Sequence, residues 1–247
     1  MIKEYNGKYG TCMFDTDEFE ICGETDKYLH YVGKGGLVKQ PIGYNSLHAM
    51  FIYCDVRALD LADWDVSKVS DFSEAFSYCS SLKNIKGIEH WKTSAGVNFA
   101  LMFNNCKSLT TLNLNRWDMS NAADISGMFF DCINLTELNV ASWNIANCKD
   151  ISCFVNGCES LVSLDVTKWD TQNVTYAEKF ACSCHNLQIC DISGWDNKFL
   201  VTFEGMFANC DKLEKPDLSG WNYSDFAISK IFNEAGISGG VSTLNLF

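Results

Sequence analysis

Thirteen cysteines and four histidines are the residues of this 247-residue chain most able to hold a metal or attack a substrate. Cys148, Cys153 and Cys158 lie close together, as do Cys182, Cys184, His185 and Cys190. A zinc site favours Cys and His in two close pairs, and neither group has that paired form. His30, His48, His90 and His185 share no spacing, and no Ser–His–Asp or Cys–His arrangement can be argued. Gly33-Lys34-Gly35-Gly36 lacks the strand–loop–helix frame of a phosphate loop, and the acidic run from Asp15 to Glu20 reads as a solvated turn. These residues predict no enzyme, no metal and no cofactor, and no small-molecule ligand is expected.

Regularity lies elsewhere. The seven tryptophans, Trp64, Trp91, Trp117, Trp143, Trp169, Trp195 and Trp221, are separated by 27 residues once and by 26 thereafter. Cys79, Cys106, Cys132, Cys158, Cys184 and Cys210 each follow a Trp by 15 residues. A fixed period of this size marks stacked repeats, each packing on its neighbours. A column of cysteines at one phase reads as small buried thiols filling a core, not as a disulfide framework. Leu82, Leu109, Leu135, Leu161, Leu187 and Leu213 follow the ladder cysteines by three. Alternating pairs such as Leu112/Leu114, Leu138/Val140 and Leu164/Val166 then mark a short strand with one face buried.

After each Trp the residue is Asp or Asn, except Lys92, which predicts a turn or helix entry. Stretches such as Asp124-Ile-Ser-Gly-Met-Phe-Phe space apolar residues three to four apart, which predicts a short helical turn closing each coil. Its inward column holds Phe72, Phe99, Ile125, Ile151 and Phe203. The Cys-to-Trp arm is 10 residues from Cys54, 12 from Cys79 and 11 elsewhere, so residues 83–90 are the place for a bulge. The fold expected is an α/β repeat solenoid: a right-handed coil of leucine-rich-repeat type, with a parallel sheet on one face and short helical turns on the other. Residues 1–45 lack the pattern and read as a β-rich cap or docking segment. Residues 46–235 form the repeats, and residues 236–247, with Leu244 and Leu246, form a capping strand.

The exposed column between the paired inward strand residues is Asp60, Asn113, Asn139, Asp165, Asp191, Asp217 and Asn245. Stacked carboxylates repel unless compensated. The column is therefore either a ladder for a cation or basic partner, or a set of local hydrogen bonds to Ser, Thr and backbone groups. Sequons at Asn134, Asn173 and Asn222 read as by-products of the repeat.

Lys and Arg total 19 against 31 Asp and Glu, a formal net charge of -12. Phosphate attraction dominates nucleic-acid affinity, so such a chain is a poor nucleic-acid partner. No apolar run is long enough to span a membrane. The N-terminus has no apolar signal core, so a cytoplasmic or virion-associated place is expected rather than classical secretion.

The recurring string Cys-x-x-Leu-x-x-Leu-Asn-Leu-x-x-Trp-Asp-x-Ser-x-x-x-Asp-x-Ser-x-Met-Phe resembles the BspA-like leucine-rich repeats. It is most similar to the subgroup of mycoplasma and lactic-acid-bacterial surface-protein repeats, with Asp-Ile-Ser-Gly-Trp-Asp at 191–196 and Asp-Leu-Ser-Gly-Trp-Asn at 217–222. The resemblance covers residues 46–247. It implies leucine-rich-repeat architecture, adhesion, surface display and protein binding, and carries no catalytic residues. The function expected is a non-catalytic protein-interaction or adhesion scaffold whose partner is another protein or a larger assembly. A structural subunit of a phage or virus particle is the alternative.

Overall fold

A computed structural model of the chain describes residues 1–214, 216, 218–221 and 229–232. Asp217, Asn245, Asn222 and the expected capping strand at 236–247 lie outside the described residues.

The chain opens with two antiparallel hairpins. β1 (Ile2–Gly7) pairs with β2 (Gly10–Asp15), and β3 (Phe19–Cys22) pairs with β4 (Tyr28–Tyr31). Strand alternation sends Tyr5, Cys12, Phe14, Phe19, Leu29 and Tyr31 into the core. β5 (Gly36–Leu37) then pairs in parallel with β6 (Ala58–Asp60) of the first repeat, and β6 with β7 (Asn84–Lys86). β8 (Thr111–Asn113) and β9 (Glu137–Asn139) make a separate parallel pair, followed by a lone bridge, Ser163 to Ile189.

This corrects the expected α/β solenoid on both faces. The strand side is not one continuous sheet but small separate ones. One break, between β7 and β8, falls at the unit with the extra residue. There Gly87, at φ 92°, turns the chain into a 3₁₀ turn at Ile88–His90. A Cβ at Gly87 would stand 2.3 Å from Cα of Ala62.

The other side is not helical either: residues 1–214 contain no α-helix. In the arm from Asp71 to Cys79, the N–H groups of Phe72, Glu74, Phe76 and Tyr78 donate to the carbonyls of Asn98, Ala100, Met102 and Asn104 at 2.7–2.9 Å. Between these bonds to the next repeat Ser77 N–H donates to Glu74 O, and on either side of it close two tight turns, Ala75 N–H to Phe72 O and Cys79 N–H to Phe76 O. Their third residues, Glu74 and Tyr78, have φ 55° and 59°, the sign a type II turn requires and a helix forbids. Leu101 and Asn105, Gly127 and Asp131, and Lys179 and Ser183 repeat the device. Two successive four-residue turns bring Phe72 and Phe76 inward four positions apart, which is why the spacing imitates a helix. The most continuous backbone ladder therefore runs along this arm, as single bridges through Ser46, Asp71, Asn98, Asp124, Asp150, Tyr176 and Thr202.

The core is built of columns. Neighbouring indoles from Trp91 to Trp195 stack with ring centroids 6.1–6.4 Å apart and planes within 11°. That is the offset geometry aromatic quadrupoles favour. Phe51, Phe76, Phe103 and Phe129 stack beside them at 5.1–5.4 Å.

Candidate interaction surface

The polar side chains of each repeat are used first to hold the stack. The indole N–H of Trp117 donates to Ile88 O at 2.8 Å, that of Trp143 to Leu114 O at 2.9 Å, and that of Trp169 to Val140 O at 3.2 Å. Trp91, beside the irregular unit, has no such partner for its Nε1. Each ladder thiol donates to a carbonyl of the preceding repeat: Cys79 to Phe51, Cys106 to Phe76, Cys132 to Phe103 and Cys158 to Phe129, at 2.8–3.1 Å. Burial pushes the Cys132 thiol up to about 12, so it stays a neutral donor. The sequon amides do the same work, Asn134 donating to Lys107 O and Asn173 to Ala146 O.

Three Asx columns turn the corners. After the Trp, carboxyl or amide Oδ1 atoms of Asp65, Asp118, Asn144, Asp170 and Asp196 accept the N–H two residues on, at 2.9–3.1 Å. Asp71, Asn98, Asp124 and Asp150 do so at the start of the arm, at 2.8–3.0 Å. The predicted strand column behaves alike. Asp60 accepts from Ala62 N, Asn113 from Asn115 N, Asp165 from Thr167 N and Oγ1, and Asp191 from Ser193 N. The structure sets Asn113 opposite Asn139, and Asp60 opposite Lys86, whose ammonium lies 2.6 Å from Asp60 Oδ2. Lys86, with the Ala62 N–H, holds the Asp60 carboxyl below the usual carboxylate range. Asp165 and Asp191 each stand two residues past the bridged Ser163 and Ile189, exposed and one repeat apart.

The cysteine–histidine groups do not converge. Cys148 donates to Asp150 O, Cys184 donates to Val155 O, and His185 faces Asp211 at 3.0 Å. Among the described residues, no three His, Cys, Asp or Glu side chains are placed to share a metal ion. No helix of the described residues is long and apolar enough to cross a membrane.

Sequence reasoning missed a groove of about 690 Å³ on the arm side. Its lining includes the small residues Ser126, Gly127 and Ser152, the apolar Leu101 and Phe130, and the rings of Tyr78 and Tyr176. Ser126 and Ser152 are equivalent positions of successive repeats, whereas Tyr78 and Tyr176 come from different columns of the arm, so no single spacing marked the groove.

The family described as "Mycoplasma protein of unknown function, DUF285" matches residues 45–164 and 149–238. No curated protein matches the chain. Among solved structures it is similar to a T. pallidum leucine rich repeat protein at 16% identity. That match covers 70% of this chain and 90% of that one with a TM-score of 0.36, a likeness too low to carry a conclusion.

Proposed function

The chain belongs to the family described as Mycoplasma protein of unknown function, DUF285, and we propose that it is a non-catalytic protein-interaction scaffold whose repeats are of the BspA-like kind. The observation that carries this reading is the division of labour among polar groups. Trp, Cys, Asn and Asx side chains bind backbone within and between repeats. The strand column then presents Asp60, Asn113, Asn139, Asp165 and Asp191 outward in repeat order, as a fixed acidic and amide surface. A surface held this way loses little conformational entropy when a partner docks. Adhesion to another surface is the finer form of the reading. Residues 1–45 serve as a cap or docking segment, and residues 46–235 as the repeat body.

The test is affinity capture with the intact chain from its native source, followed by mass-spectrometric identification. Partners captured by the wild type and lost with charge-neutralising substitutions along the strand column support the scaffold. Recovery of capsid or tail proteins in fixed ratio makes it a structural subunit of an assembly instead. Turnover of a captured molecule would overturn the reading.

A further inference from the structure

The arm groove, of about 690 Å³, is a concave feature that the stack's own bonding does not explain. It runs from Tyr78 to Tyr176, and the ladder beside it takes four bridges to go from Asp71 to Tyr176. At about 4.8 Å per bridge that is roughly 19 Å, the length of about six extended residues. Both tyrosines are partly exposed, Tyr78 at 42% and Tyr176 at 45%. Tyr78 is backed by Tyr53, stacked on it at 4.8 Å. Ser126, Gly127 and Ser152 are small, and Leu101, Phe130 and Cys153 make much of the rest of the lining apolar. The charged residues lining the groove are Asp150 and Glu178, both acidic.

Aromatic faces, carboxylates and a largely apolar lining complement one chemistry: a cationic head on an aliphatic stem, carried by an extended chain. We propose that the groove binds an extended segment of a partner protein carrying Arg or Lys. The cationic head lies near Asp150 and Glu178, and its stem packs on Tyr176. This rests on the scaffold reading and adds to it a second surface, away from the strand column.

The test uses the full chain and a fluorescein-labelled octapeptide of alternating Arg and Ser, followed by fluorescence anisotropy. Peptides alternating Gln and Ser, or Glu and Ser, run in parallel. In Asp150→Asn/Glu178→Gln the Asn keeps an acceptor for the Ser152 N–H, so the turn is retained. Asp55→Asn/Asp63→Asn removes the same net charge at exposed positions outside both the groove and the strand column. The Arg peptide is expected to bind the wild type, and the other two are not. The groove pair and Tyr176→Ala should each weaken binding about tenfold or more, as loss of a charge-assisted or aromatic contact does. The control pair should change it by less than about threefold, with thermal unfolding confirming that each variant folds. Equal weakening by both pairs, equal binding of the Gln peptide, or no binding of the Arg peptide overturns the groove. If partner capture by the intact chain then still falls with Asp165→Asn, the scaffold reading survives without it.

Discussion

The indole N–H of Trp143 donates to the carbonyl of Leu114, one repeat earlier, at 2.9 Å, while the ring lies between Trp117 and Trp169. The side chain that fills the core thus also satisfies a backbone oxygen that packing has taken from water. Trp91 fills the same column without that bond. The contrast is informative because both rings are almost fully buried.

Trp143→Phe should therefore cost more than Trp91→Phe, by about 1–2 kcal/mol, the difference between leaving a buried carbonyl unpaired and leaving none. Trp143→Ala should cost about 3–5 kcal/mol, as large deletions in a core do. Urea denaturation followed by circular dichroism measures all three. Equal costs for the two Phe variants would assign the column to packing alone.

The ladder thiols should be silent in the folded protein. Cys132 is fully buried, donates to Phe103 O, and is pushed by burial from 9.0 to about 12. At pH 8 a thiol reagent should label it only after denaturation. A thiol whose folded value is raised adds stability that is complete below about 9 and is lost as pH rises through about 12. The stability gap between the wild type and Cys132→Ala should accordingly shrink across that window. A gap constant with pH would mean that the thiol is not held as a neutral donor.

Gly87→Ala should be among the most damaging single changes. The φ of 92° disfavours any side chain, and the new Cβ would strike the Ala62 backbone, which cannot swing aside. A loss of more than about 2 kcal/mol is expected. Gly194→Ala meets nothing within 4 Å and should be neutral or gain up to about 1 kcal/mol. Melting temperatures of the two variants make the comparison, and similar values would refute the account of the irregular unit.

Asp165 separates turn chemistry from binding. Its Oδ1 accepts both the N–H and the hydroxyl of Thr167. Asp165→Asn keeps an acceptor and should leave stability unchanged, whereas Asp165→Ala should cost about 1 kcal/mol. If the strand column contacts a basic partner, Asp165→Asn should weaken capture while leaving the melting point in place. Capture unchanged by Asp165→Asn would remove this residue from the contact surface.

How much was legible beforehand follows from which interactions are local to a column. Repetition makes each position meet its own equivalent one period away. The 26-residue ruler therefore revealed, without coordinates, which residues stack: Trp143 on Trp169, Cys132 beside Cys158, Phe103 on Phe129. The twelve-residue arm from Cys79 marked where regularity would fail, and Gly87 is where it does. Hydrogen-bond direction was not legible. A 3.6-residue helix and a pair of four-residue turns place Phe72 and Phe76 on the same side, and only the carbonyls of the next repeat decide between them. Those carbonyls draw alternate N–H groups outward, hold Glu74 and Tyr78 at positive φ, and forbid the helix. The groove follows from the same decision. Ser126, Gly127 and Ser152 are far from Tyr78 and Tyr176 along the chain, and tertiary stacking alone brings them into the lining of one groove.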